Sequence, residues 1–208
     1  MTTAGGRTAE RQPLSAAVGP VDCVLQTPKE RCTVAGEHLT RQARRVVTGV
    51  DANGKSTVVS DQDTATRVAL PGFTVNDLWR VDSLPTHVDE LDTLTEEVVL
   101  DPPAAGLVFR IATFPPDSEV DRAAYDESIS NLHGSDANAH DDTVMGMHIT
   151  DTFDLDVILE GEIYCVLETG EVLLRPGDSI ILRGIKHAWS NRSDKPATMV
   201  ATMIPAKR

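Results

Sequence analysis

The chain has 208 residues and a mass of 22.4 kDa, the size of one domain with additions or of two small ones. Its 19 basic and 32 acidic side chains give a net charge of −13. That excludes nucleic acid and anionic lipid as main partners, since both need a basic face. Aromatics make up 4% of residues, which argues against a base-stacking platform, and no run approaches the roughly 18 apolar residues that span a bilayer.

Residues 1–40 are polar, rich in Thr, Ala, Gly and Arg, and read as a flexible arm. Residues 1–36 hold no apolar stretch of a secretory leader. Cys23, Cys32 and Cys165 form no C-x-x-C pair. A Cys23–Cys32 bridge stays open, but free thiols in a reducing, cytoplasmic setting are the favoured reading. Residues 41–105 are expected to be a strand-rich extension. Strands at 45–50 and 55–60 flank Asn53-Gly54, the strongest short hairpin signal. A short strand is expected at 77–81, and an acidic, Pro-bounded loop with a helical turn at 83–103.

Gly49-Val-Asp-Ala-Asn-Gly54-Lys55-Ser56 matches the phosphate-loop pattern letter for letter. Such a loop works because a helix follows and aims its N–H groups at the phosphates. Here Thr57-Val-Val-Ser follows, which is strand-like, and Asn53-Gly54 already explains the segment as a hairpin.

The remaining chain, 106–208, reads as a barrel. A strand over 106–114 closes at Pro115-Pro116. Residues 117–143 form an acidic insertion with a helix over 122–129. Strands are expected at 144–149, 155–167, 171–174, 178–182, 187–190 and 197–204. Short strands at this spacing with Gly and Pro turns mean a sandwich or barrel.

Two stretches of this region share a character. The first is Gly146-Met-His148-Ile-Thr150-Asp-Thr152-Phe-Asp154-Leu-Asp156-Val-Ile-Leu-Glu-Gly161. The second joins Arg175-Pro176-Gly177-Asp178 to Arg183-Gly184-Ile-Lys-His187-Ala-Trp-Ser-Asn191. They resemble the paired signature motifs of the cupin superfamily. The second motif is in register throughout, while in the first Thr150 stands at the second histidine position and Asp154 at the glutamate. The chain is also similar to a cupin subset carrying H-x-T-x-[ST]-x-D and R-G-x-x-H-A-W-x-N, departing from it at Leu155-Asp156. The resemblance implies an all-β cupin barrel, a double-stranded β-helix, with a β-rich N-terminal extension. It also implies a homodimer.

Strand alternation puts His148 with Thr150, and Asp154 with Asp156, on shared faces. Polar residues inside a small barrel are costly unless they pair or bind something. His148, Asp154 and His187 form a candidate metal set, two imidazoles and one carboxylate. That set suits Fe(II) best, with Zn, Mn or Ni as alternatives. Asp156, Thr150 and Tyr164 are candidate catalytic groups, although Tyr164 and Trp189 also suit core or pocket wall. His133 and His140 lie in the acidic insertion and read as solvated. The expectation is a small-molecule enzyme using one divalent metal for dioxygenase, decarboxylase, lyase or isomerase chemistry on a small oxygenated organic or aromatic compound. Two alternatives stay open. One is a metal-free acid/base isomerase, in which His148 or His187 works with Asp154. The other is a module that binds or senses a small ligand without turning it over.

Overall fold

β-Branched residues on both sides of Asp51-Ala-Asn-Gly54 build the first ribbon, β1 (Arg44–Val50) paired antiparallel with β2 (Ser56–Asp63). The turn is closed by the Asp51 carboxylate, whose Oδ1 accepts from the Asn53 and Lys55 amides at 2.8 and 2.9 Å. Gly54 takes φ 74°, open to glycine at no steric cost. A strand, not a helix, follows Ser56, so the phosphate-loop match has no structural counterpart. These observations come from a computed structural model that describes residues 36–132 and 144–208, all within one compact unit, Thr33–Arg208. The expected arm at 1–35, with Cys23 and Cys32, and the stretch 133–143, with His133 and His140, lie outside the described residues.

The main body has two sheets. The larger has six strands, β3 (Arg67–Leu70), β4 (Phe73–Val81), β5 (Leu107–Phe114), β11 (Ala197–Pro205), β6 (Thr152–Glu160) and β9 (Ser179–Arg183), hydrogen-bonded in that order. The smaller has β10 (His187–Ser190), β7 (Ile163–Leu167) and β8 (Gly170–Leu174). Inward residues of both, including Val75, Ala112, Ile158, Ile163, Cys165, Leu182 and Met199, form one apolar core. The protein is therefore an all-β barrel. Among the described residues the one α-helix is α1 (Arg122–Leu132), whose Tyr125 and Ile129 reach the core. Asp121 opens the helix by accepting the Ala123 and Ala124 amides at 2.8 and 3.2 Å. No helix among the described residues is long and apolar enough to cross a membrane.

Three sequence expectations change. The boundary at 105/106 does not separate one sheet from another, because β3 and β4 are hydrogen-bonded into the large sheet through β4–β5. The single strand expected over 155–167 is split into β6 and β7, divided by Gly161 at φ 74°. Residues 83–103 are irregular, with one hydrogen-bonded turn over 87–90. The strand expected over 144–149 is reduced to one bridge, His148 to His187, because Gly146 at φ 69° turns the chain just before it.

Candidate active site

The barrel interior is set by alternation on β6. Thr152, Asp154, Asp156 and Ile158 point inward and are buried, while Phe153, Leu155 and Val157 point out. Asp154 and Asp156 thus lie side by side. Their strand neighbours are apolar: Met203 and Leu182 flank Asp154, and Ala201 and Ile180 flank Asp156. Neither carboxylate's Oδ1 accepts a hydrogen bond from any described group. Burial pushes the Asp154 carboxyl up to about 6, against the pull of the Thr152 hydroxyl and the Arg110 charge. Burial, reinforced by the neighbouring Asp154, pushes Asp156 up to about 8. Near neutral pH the pair therefore holds one proton, mainly on Asp156.

The bridge between the 146–150 segment and β10 supplies the imidazoles. The His148 amide donates to the His187 carbonyl at 2.9 Å and the reverse bond is 3.0 Å. This brings the rings to 4.4 Å between centroids. Each Nδ1 faces the carbonyl two residues earlier, Gly146 at 2.8 Å and Ile185 at 3.1 Å. A carbonyl only accepts, so each Nδ1 carries the hydrogen and Nε2 is the basic nitrogen of the neutral ring.

Around these groups lies a partly open cavity of about 100 Å³. His148, Thr150, Asp154, Asp156 and His187 all line it. The Thr150 hydroxyl is hydrogen-bonded at 2.6 Å to that of Thr152, which in turn bonds Asp154. Thr150 is thereby linked to the carboxyl pair through one hydroxyl. Tyr164 is not in the cavity. Ile163 and Cys165 take the inward positions of β7, so Tyr164 points out, with the Arg192 guanidinium 4.2 Å over its ring. Cys165 is an inert core thiol, its ionisation raised to about 12, chiefly by burial.

The expected metal trio is only partly assembled. His148 and His187 meet one requirement of ligands, a second ring nitrogen held by a backbone carbonyl. Among the described residues, however, no three His, Cys, Asp or Glu side chains converge as a metal cluster, so Asp154 does not join the imidazoles in one. The residues present do not fit a three-ligand centre.

Two lining residues escaped the sequence reading. Arg110 stands at an inward position of β5 between Val108 and Ala112, and pairs with buried Asp77 of β4 at 2.9 Å. An arginine in that alternation was the available signal. Tyr125 of α1 lies over the cavity, edge-on to Phe73 at 5.8 Å. It was hidden because the weak periodicity of 117–143 suggests a solvated insertion.

No family model matches the chain. A cupin-domain-containing oxidoreductase of Neurospora crassa, srdB, is 29% identical over 171 residues, which cover 80% of this chain and 76% of that one. The chain is thus similar to a cupin-domain protein over most of its length. Phomopsin biosynthesis cluster proteins C′ and D of Diaporthe leptostromiformis are each 48% identical over 63 residues, 29% of this chain. That match spans only 33% of each relative's own length. A solved cupin 2 conserved barrel protein from Salinispora arenicola aligns at a TM-score of 0.37 and 14% identity, over 64% of this chain and 76% of that one.

Proposed function

We propose that this chain is a cupin-type small-molecule enzyme that moves protons within its barrel, with Asp156 as the acid, Asp154 as the base and the two imidazoles as further proton carriers. The observation that carries this is the pair of buried carboxyls on β6, adjacent, apolar-flanked and each with an oxygen that accepts no hydrogen bond from a described group. Burial and mutual repulsion separate their ionisations, which leaves one donor and one acceptor near neutral pH. Isomerisation or elimination beside a carbonyl needs such a pair: the base takes a proton from carbon while the acid protonates oxygen. Thr150, linked through Thr152, would orient Asp154. The naming of one relative as an oxidoreductase supports enzymatic activity without fixing its type.

Solvent deuterium exchange into small cyclic and aryl-substituted carbonyl compounds, followed by NMR, tests this. Wild-type protein should catalyse exchange at the carbon beside the carbonyl. Asp156→Asn should slow it by about 10²–10⁴, the usual contribution of a general acid or base. Exchange unaffected by this change would refute the role.

A second reading, a metal held by the imidazoles, has one observation in its favour, the carbonyl anchoring of both Nδ1 atoms. Elemental analysis decides it. Stoichiometric Fe, Mn, Zn or Ni that is lost in His187→Ala would replace the proton-transfer reading. A cytoplasmic homodimer completes the proposal. Phe153, Leu155, Val157 and Leu159 on β6 and Ile181 on β9 are more than a third exposed, and a second copy would cover this row.

A further inference from the structure

The cavity's charges constrain its ligand more tightly than the chemistry does. Among the described lining residues Arg110 is the one fixed cation. Its guanidinium is already engaged: Nε and Nη2 face Asp77 at 2.9 and 3.3 Å, Nη1 donates to the Leu100 carbonyl at 3.0 Å, and Nη2 to the Val99 carbonyl at 2.8 Å. Its charge is offset by Asp77 and its Nη groups are drawn to backbone carbonyls, so Arg110 is a poor anchor for a ligand carboxylate. An acid entering the cavity would instead meet Asp154 and Asp156, whose Oδ1 atoms call for donors. An ammonium group brings three donors, and the apolar flanks of the pair leave part of its charge desolvated and without acceptors.

The other wall is aromatic. Phe73, Phe114, Tyr125 and Trp189 line it, with successive centroids 5.8 to 6.5 Å apart. This run favours edge and face contacts with another ring. The space, about 100 Å³, is smaller than the ~150 Å³ apolar cavity that takes up benzene, so it excludes anything larger than one ring.

We propose that the ligand is a neutral, single-ring hydroxyarene or aryl alcohol, its ring on the aromatic wall and its hydroxyl donating to the Asp154–Asp156 pair, and that carboxylic acids are rejected. This rests on the reading above that the barrel cavity is the reaction site; a substrate of that chemistry would carry a carbonyl as well, and the hydroxyl-bearing ring is the part that the cavity selects. A hydroxyl satisfies a buried acceptor, whereas a carboxylate leaves it facing like charge. Sites that hydrogen-bond a hydroxyl discriminate strongly for this reason.

The test is calorimetric titration of the full chain at pH 7 with 3-hydroxybenzyl alcohol, benzylamine and benzoate. Quenching of Trp fluorescence serves as a parallel readout, since Trp189 lines the cavity. The alcohol should bind at one site per chain and at least tenfold tighter than either charged probe. Asp156→Leu, which replaces the acceptor by an apolar wall, should weaken the alcohol about tenfold and leave benzoate little changed. Benzoate or benzylamine binding as tightly as the alcohol would overturn the proposal, as would binding of none of the three. Failure here is separable from failure of the proton-transfer reading. Selective alcohol binding without any deuterium exchange would retire the chemistry and keep the ligand class. Exchange with benzoate preferred would do the reverse.

Discussion

Asp156 faces the interior between Ala201 and Ile180, with Asp154 two residues away on the same strand. Its ionisation is raised from 3.8 to about 8. Between roughly pH 4 and pH 8 the folded state therefore holds a proton that the unfolded chain has released. Stability must fall as pH rises through this window. The melting temperature of the wild type should thus drop between about pH 5 and pH 8, and in Asp156→Asn this drop should be largely absent, as thermal unfolding across pH would show. A flat wild-type profile would mean that the carboxyl ionises normally. The shared face of Asp154 and Asp156 was legible in the sequence, because a strand period of two needs only the strand to be recognised. The position of Tyr164 was not. Choosing between alternate residues requires the register, and Cys165, with no polar demand, took the inward place.

Helix α1 shows what a single glycine contributes at the scale of an element. A Cβ at Gly146 would lie 2.2 Å from Cε1 of Tyr125, and one at Gly72 would lie 2.2 Å from its Cδ2. The two glycines thus clasp the tyrosine ring that roofs the cavity. Gly146→Ala adds this clash to a φ of 69° that alanine resists. The expected loss is about 1–3 kcal/mol, read as a lowered melting temperature and, from Trp189, altered fluorescence. Gly170→Ala, with nothing within 4 Å of the added carbon, is the control. Adding Tyr125→Leu should recover some of the loss. The 51–54 hairpin and the second cupin motif were legible because their turns are locally determined. Asn191 illustrates this: its side chain donates to the Phe114 and Lys195 carbonyls at 3.2 and 2.7 Å. The role of α1 was not legible, because its burial depends on residues distant in sequence, and the motif resemblance began only near residue 107, which concealed β3 and β4.

Across the whole molecule the Arg110–Asp77 pair ties β5 to β4, and Arg110 also holds the 99–100 segment beside the cavity. Both side chains are about 3% exposed, so removing one partner strands a buried charge. Asp77→Asn should cost about 3–5 kcal/mol, measured by urea unfolding, and the double change Arg110→Met with Asp77→Leu should cost less than the sum. Equal, additive losses would mean that the pair is not coupled. The outer face of β6 carries the assembly expectation. Leu155→Glu should shift the proposed dimer to monomer in sedimentation velocity without altering the interior, because Leu155 points away from the cavity.

At neutral pH the barrel should hold a proton on the buried carboxyl pair. Carbon-13 NMR titration of the Asp side-chain carboxyls measures this directly. Two carboxyls should titrate near 6 and 8, with the upper one missing in Asp156→Asn. Titration of every Asp carboxyl near its ordinary value of about 4 would contradict it.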